Sequence, residues 1–188
     1  IYDLKWKELG KHVSNLVPLG EGEEVISSLL VKDFNKKVNV IISTRDGMIK
    51  RTSLADFKIT RITKPSSCIK LKGEDRVVDV MLDTNKDIFI ATSLGYGLWF
   101  AKDDVPIVGI KASGVKAINL KNDTVVSTIN FDEDISDYLV ILTDKGTGKR
   151  VKLKDFEKSS RARRGLMTIR DVKTNPYHVI KALIPSNK

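Results

Sequence analysis

The chain has 188 residues, a hydrophobic fraction of 41% and a formal net charge of +9 at pH 7, a composition that fits a soluble globular protein large enough to bury a core. No apolar run approaches the roughly 20 residues that span a bilayer, and the first residues lack a signal-peptide core. The single cysteine, Cys68, excludes an internal disulfide and a CxxC zinc knuckle, so we expect a cytoplasmic protein in a reducing compartment.

The first 37 residues resemble the second half of a repeat unit whose complete copies follow. Residues 6–9 align with residues 54–57 of the first complete copy, and residues 17–19 and 25–31 match its third and fourth predicted strands. Because the chain starts inside a unit and without Met, we expect it to be part of a longer one. We predict a single domain over 1–188, with a partial blade at 1–37 and repeats at 38–86, 87–137 and 138–188.

Each repeat begins with a strand and a glycine turn. The turn glycines are Gly47, Gly95 and Gly146, spaced 48 residues (47 to 95) and 51 residues (95 to 146) apart. Glycine at these positions allows the positive φ that a tight hairpin needs. An aspartate followed by an apolar residue comes nine and ten positions after each glycine, and we expect the aspartate to have a turn or hydrogen-bonding role. These pairs are Asp56-Phe57, Asp104-Val105 and Asp155-Phe156.

Every repeat predicts four short antiparallel strands, and helical spacing is absent, so the chain is expected to be all-β. The period suits one small sheet per repeat, as in a propeller-like array. Alternation along the first strands predicts that one face is buried. The residues expected there are Val40, Ile42, Ile88, Ile90, Leu139 and Ile141. The remaining predicted strands are 48–53, 68–71 and 77–82, then 115–120 and 125–131, then 166–172 and 178–184.

Basic residues recur just after the repeat glycines. Lys50-Arg51 and Lys149-Arg150 occupy the same repeat positions, where the second copy has Leu98-Trp99. Trp99 is therefore expected in the core rather than stacked on a base. Lys152 and Lys154 extend the third cluster, and strand alternation places them on one face.

A second basic site falls in the connection between the second and third strands of each repeat. The first copy has Lys58, Arg61 and Lys64, and the second has Lys111. The third is dense, with arginines that can bind phosphate oxygens bidentately, serines that can donate hydrogen bonds, and a glycine that could let backbone approach a ligand. Its residues are Lys158, Ser159, Ser160, Arg161, Arg163, Arg164 and Gly165.

The positive charge favours a polyanionic partner, because Lys and Arg that neutralise phosphates release condensed counterions. Nucleic acid is the first expectation, an anionic membrane surface the second, and plain solubility the alternative. A protein-interaction module would carry a more neutral rim with aromatic anchors. A carbohydrate-active propeller would need paired acids in a central pocket. Since no recognition helix is evident, we expect phosphate contacts without sequence readout.

Catalysis by this chain is not expected. His12 and His178 are the only histidines, and neither has a cysteine or paired carboxylate at metal-ligand spacing or the setting of a Ser-His-Asp triad. Gly95-Tyr96-Gly97 is followed by no helix that could receive a phosphate. We predict no catalytic residue, no metal and no cofactor here, and interpret the tyrosines as packing residues.

The recurring pattern Thr-x-x-Gly, x-x-Lys-Arg, x-x-x-x-Asp-Phe resembles the C-terminal domain of the DNA-cleaving subunit of bacterial type IIA topoisomerases, the family formed by the A subunits of gyrase and topoisomerase IV. The resemblance spans almost the whole chain. It implies a β-pinwheel, partial or open here, in which blades exchange strands and a basic rim binds and bends duplex DNA. It implies DNA contacts at Lys50, Arg51, Lys149, Arg150, Lys152, Lys154, Arg161, Arg163 and Arg164.

The gyrase branch of this family carries a Gln-Arg-Arg-Gly-Gly-Lys-Gly box that is required for chiral wrapping. The nearest stretch in this chain is residues 161–165, a degenerate version in a late repeat, which favours the topoisomerase IV branch over gyrase. The resemblance then implies a non-catalytic domain that presents DNA to a cleavage core for decatenation and relaxation. The intact ATP-dependent enzyme would use ATP and Mg²⁺ and assemble with an ATPase subunit.

Overall fold

A computed structural model describes residues 4–59, 65–133, 138–170 and 174–185. Within these ranges the chain forms short antiparallel strands connected by turns. The strands are β1 (Asn39–Thr44), β2 (Met48–Ser53), β3 (Val77–Leu82), β4 (Asp87–Thr92), β5 (Tyr96–Ala101), β6 (Val115–Lys116), β7 (Val125–Phe131), β8 (Tyr138–Thr143), β9 (Gly148–Lys152), β10 (Leu166–Met167) and β11 (Val179–Leu183). Short 3-10 helices lie at Val13–Asn15, Leu54–Phe57, Lys102–Asp104 and Leu153–Asp155. No described helix has the length and apolar character that crossing a membrane requires.

The strands form three sheets, ordered β3-β1-β2-β6, β10-β5-β4-β7 and β11-β8-β9. The first two each contain a strand from the following repeat. β6 comes after β5 in the chain but pairs with β2, and β10 comes after β9 but pairs with β5. A repeat and a sheet therefore do not coincide, and neighbouring repeats exchange a strand as the resemblance implies.

The hairpin turn is built in the same way in all three repeats. Gly47, Gly95 and Gly146 have φ of 83°, 86° and 73°. In the first turn, the buried Thr44 hydroxyl accepts a hydrogen bond from Met48 N–H at 3.2 Å, and the second and third turns repeat this bond at 3.0 and 3.3 Å. The threonine of the Thr-x-x-Gly pattern therefore stabilises the turn, because its hydroxyl accepts a hydrogen bond from a backbone N–H that the tight turn would leave unpaired.

The six first-strand residues predicted to be buried are 0–3% exposed, which confirms that prediction. Burial is nonetheless wider than alternation predicts, because the second sheet lies between the other two. Ile88 and Ile90 pack in a cluster with Ile41 of the first sheet. Phe89 packs on the opposite face, in a cluster with Leu139 of the third sheet. Because β4 packs against a neighbouring sheet on each side, it carries apolar residues on both of its faces.

The predicted third strands are shorter than expected. Residues 115–120 and 166–172 yield only β6 and β10, residues 171–172 of the latter lying outside the described ranges. No strand forms at 68–71 or within 4–37, so the predicted strands of a partial blade are wrong there. A third strand pairs with the hairpin of the preceding repeat, and residues 4–37 contain no hairpin for 68–71 to join. Trp6 and Leu9, aligned with the turn at 54–57, are 89% and 96% exposed.

The fourth strands connect the repeats directly. Asp79 of β3 accepts a hydrogen bond from Thr128 N–H of β7 at 2.7 Å. At the equivalent position of β7, Ser127 Oγ accepts one from Ala182 N–H of β11 at 2.9 Å. The third repeat has Lys181 of β11 at the position that Asp79 and Ser127 hold in the first two repeats, and Lys181 Nζ lies 3.2 Å from Asp79 Oδ1. The Asp79 carboxylate thus bonds to strands of the second and third repeats as well as belonging to the first, so polar contacts join the three sheets in addition to the apolar clusters.

Candidate nucleic-acid interface

Lys50 is enclosed in the protein and has no surface to offer a phosphate. Its side chain is fully buried, and Nζ donates hydrogen bonds to the carbonyls of Gly109 at 3.2 Å and Ile110 at 2.7 Å. Burial lowers the pKa of Lys50 below its ordinary value of 10.5, with a nearby Cys68 acting in the opposite direction. The expected DNA contact at Lys50 is therefore corrected to a structural role, because the residue connects the first repeat to the second.

Arg51 is also buried, at 7% exposure. Its Nε donates to Val105 O at 2.8 Å, and Nη1 lies 3.3 Å from Asp83 and 3.1 Å from Asp103. Asp83 in turn accepts hydrogen bonds from the backbone and side-chain nitrogens of Asn39. The guanidinium donors are used internally, so Arg51 is likewise corrected from a DNA contact to part of a buried ionic network.

The equivalent residues of the third repeat are exposed. No described strand of a following repeat pairs with β9, and Lys149, Arg150, Lys152 and Lys154 all reach the surface. Lys149 Nζ donates to Thr168 O at 3.2 Å. The prediction that Lys152 and Lys154 share a strand face is wrong, because Lys154 lies in the 3-10 turn Leu153–Asp155.

Alternation instead places Arg150 and Lys152 on one face of the third sheet. Lys152 lies opposite Tyr138 in the register of β8 and β9, and Arg150 lies opposite Val140. The Arg150 guanidinium is above the Tyr138 ring, with Cζ 4.2 Å from the ring centroid. The face away from the second sheet therefore carries two cations side by side.

The arginine-rich connection divides into one structural and two outward-facing arginines. Arg161 donates from Nε to Asp104 O and from Nη1 to Lys116 O, both at 2.9 Å, so it attaches the connection to the second repeat. Arg163 is exposed, and its Nε donates to Ser160 Oγ at 3.0 Å. Arg164 is half-buried, with Cζ 4.1 Å from the Tyr96 ring centroid.

The other members of this connection have internal partners. A Cβ at Gly165 would lie 2.2 Å from Gly97 O, so the close approach expected for a ligand is made by the backbone of β5. Ser159 Oγ donates to Ser160 O at 3.3 Å. Lys158 forms an ion pair of 2.6 Å with the buried Asp87.

Several further predictions have clear outcomes. Trp99 is 4% exposed and packs against Phe131 at 5.5 Å between ring centroids, which confirms a core position. The three repeat aspartates lie in 3-10 turns, as expected. Lys58 and Lys111 are exposed, whereas Arg61 and Lys64 lie outside the described residues.

Six of the exposed or half-exposed cations of the third repeat lie on β9, just after it, or in the arginine-rich connection, and none of these six forms an ion pair with a described carboxylate. We call them the third-repeat basic surface: Lys149, Arg150, Lys152, Lys154, Arg163 and Arg164. This surface has two parts, the cations on and just after β9 and the two arginines of the connection. Strand β10 lies between them, since Arg164 comes just before β10 and Lys149 of β9 contacts Thr168 just after it. The sequence reveals these cations but not the two tyrosines beneath the arginines, because Tyr96 and Arg164 are far apart in the chain.

A family model described as DNA gyrase C-terminal domain, beta-propeller, matches residues 39–82, 86–132 and 137–187. The chain belongs to this family. The A subunit of DNA topoisomerase 4 from Bacillus subtilis (strain 168) is 41% identical over 179 residues, which cover 95% of this chain and 22% of that protein. Its counterpart in Staphylococcus epidermidis is 34% identical over 183 residues, covering 97% of this chain and 23% of that protein. The chain thus spans less than a quarter of these curated relatives.

Solved structures agree with the family and the fold. The crystal structure of the C-terminal domain of DNA topoisomerase IV superposes with a TM-score of 0.92 at 38% identity, covering 98% of this chain and 58% of that one. The gyrase A C-terminal domain gives a TM-score of 0.80 at 24% identity, covering 94% and 58%, and its likeness supports the fold alone. The predicted β-pinwheel and the predicted family are both confirmed.

Proposed function

We propose that this chain is a DNA-binding and DNA-bending domain from the DNA-cleaving subunit of a topoisomerase IV. Its third-repeat basic surface contacts the phosphates of duplex DNA and presents a segment to the cleavage core of the intact enzyme for decatenation and relaxation. The observation that carries the proposal is the concentration of these six cations in one repeat, with Arg150 and Lys152 side by side on one face of the third sheet and none of the six in an ion pair with a described carboxylate. Cations that are not neutralised within the protein are free to neutralise phosphates.

The chemistry of this surface favours phosphate contact over sequence readout. Arg150, Lys152 and Lys154 lie on or beside a short strand rather than on a helix that could enter the major groove. Lysine and arginine side chains bind phosphate oxygens of any sequence. We therefore assign the domain the duplex itself as its partner, and no cofactor of its own.

The intact enzyme would supply what this chain lacks. As part of a topoisomerase IV it would belong to an ATP-dependent isomerase that uses Mg²⁺, works together with an ATPase subunit on the bacterial nucleoid, and remains in the cytoplasm. The relatives support this assignment, since both are A subunits of topoisomerase 4. The domain contributes DNA capture and curvature to that reaction, and chromosome segregation would depend on its products.

Duplex binding at graded salt concentrations tests the proposal. Because each phosphate contact releases counterions, log Kd should change linearly with log salt with a slope of about 0.9 per contact, and unrelated duplex sequences should give the same line. A protein-interaction module would instead show little duplex affinity and weak salt dependence. Absence of salt-dependent binding to any duplex would overturn the DNA-binding function.

The gyrase alternative differs in what happens to the bound DNA. A basic surface can bend DNA, whereas handed wrapping needs a continuous path, and Arg161 and Gly165 of the degenerate box are used for internal packing. Bending 20–30 base pairs by 40–90° costs on the order of 1–6 kcal/mol, which several phosphate contacts can offset. We expect fluorescence transfer between duplex ends to rise on binding, with little change in linking number of nicked circles religated with the domain. A large positive linking-number shift would favour gyrase.

A further inference from the structure

Two arginines of the third-repeat basic surface rest on tyrosine rings and have no other described partner. Arg164 lies over Tyr96 and Arg150 over Tyr138, with Cζ 4.1 and 4.2 Å from the ring centroids. No described residue accepts a hydrogen bond from either guanidinium. Arg161 differs, because its Nε and Nη1 donate hydrogen bonds to two backbone carbonyls.

Both members of the first pair are held by rigid backbone. Tyr96 begins β5, its N–H donates to the buried Thr92 hydroxyl at 3.0 Å, and its backbone pairs with Met167 of the exchanged strand β10. Arg164 precedes Gly165, whose φ of 83° and contact with Gly97 leave little room for movement. The stacking is therefore set by the strand exchange itself.

The second pair lies on the face of the third sheet that points away from the second sheet. Tyr138 is opposite Lys152, and Arg150 is the neighbour of Lys152 on the same face of β9. Tyr138 and Arg150 are thus diagonal neighbours, a spacing within reach of aromatic and long side chains. The guanidinium carbon lies over the ring, and no described residue accepts a hydrogen bond from the Arg150 N–H groups.

We propose that Tyr96 and Tyr138 are positioning residues for DNA binding, which hold Arg164 and Arg150 with their N–H edges presented to phosphates. A stacked guanidinium retains the planar fork that binds phosphate bidentately. Because the ring restricts the arginine before binding, less side-chain freedom is lost when the phosphate arrives. This inference rests on the proposed function and extends it to two residues that do not touch DNA.

A double-mutant cycle with duplex DNA of about 30 base pairs tests the first pair. Tyr96→Leu removes the ring face and should raise Kd about two- to tenfold, the range expected when one long side chain must be ordered on binding instead of beforehand. Tyr96→Phe keeps the face and should retain the parental Kd. In an Arg164→Ala background, Tyr96→Leu should have no further effect on Kd. Circular dichroism and the urea midpoint of each variant report folding separately.

The outcomes separate this inference from the function on which it rests. If the parent shows no salt-dependent duplex binding, both fall. If the parent binds and the Tyr96 and Arg164 effects on Kd are additive, or Tyr96→Phe loses as much affinity as Tyr96→Leu, the positioning role is wrong and DNA binding stands. Should Tyr96→Leu fail to fold, the cycle of Tyr138→Leu with Arg150→Ala decides by the same criteria.

Discussion

Two lysines at one repeat position show how burial decides the role of a charge. Lys50 and Lys149 both follow the repeat glycine by three positions, and both donate to backbone carbonyls. Lys50 is fully enclosed, whereas Lys149 remains exposed. The difference arises because the connection of the second repeat covers β2, while no described segment covers β9 in the same way. The sequence predicts that a cation is present, but whether it is accessible depends on which segment packs over it.

Stability should depend on pH through Lys50. Burial lowers its folded-state pKa, so between that value and the unfolded value near 10.5 the unfolded chain binds more protons and stability rises with pH. The contribution of neutral Lys50 to the free energy of unfolding is fully present above the pKa of the lysine in the unfolded chain. It is lost as the pH falls through the pKa of Lys50 in the folded protein. Urea unfolding should be measured for the parent and for Lys50→Met from neutral pH to about pH 10. The free energy of unfolding of the parent should rise relative to that of the variant as the pH increases. Parallel stability curves would contradict this.

At the scale of elements, local and exchanged strands differ in how far the sequence predicts them. The hairpins β1-β2, β4-β5 and β8-β9 follow from alternation and a turn glycine, because their partners are adjacent in the chain. β6 and β10 could not be assigned in the same way, since each pairs with a hairpin one repeat earlier and the shared ladder is only two residues long. No strand forms at 68–71. A strand there would pair with the hairpin of an earlier repeat, and no described hairpin precedes it.

The exchange predicts unequal effects of alanine at two glycines with similar backbone. Gly165 and Gly146 have φ of 83° and 73°, so either substitution should lower the free energy of unfolding by roughly 1–2 kcal/mol. A Cβ at Gly165 would also lie 2.2 Å from Gly97 O, whereas one at Gly146 meets nothing within 4 Å. Overpacking adds typically about 1–3 kcal/mol. Chemical unfolding should therefore give Gly165→Ala a lower free energy of unfolding than Gly146→Ala. Equal losses of unfolding free energy in the two variants would refute a tight contact at the exchanged strand.

At the scale of the whole molecule, the net charge of +9 predicts a polyanionic partner but not where that partner binds. Of the nine predicted contacts, Lys50 and Arg51 are buried and Arg161 binds two backbone carbonyls, whereas the other six reach the surface and stay predictions. Repetition in the sequence indicated the family and the β architecture. It could not indicate which copy of the basic pattern is buried among the described residues, since equivalent positions are covered by a following connection in the first repeat and by no described segment in the third.

The central claim is that the third-repeat basic surface, and not net charge alone, binds duplex DNA. Two variants of equal charge test it most directly. One replaces Arg150, Lys152 and Arg164 with Gln, and the other replaces the exposed Lys32, Lys36 and Lys37 with Gln. In salt-titrated duplex binding, the first should weaken affinity for all sequences and reduce the log–log slope by about 0.9 for each lost contact, while the second keeps the parental slope. Equal losses in both variants, or none in the first, would contradict the account.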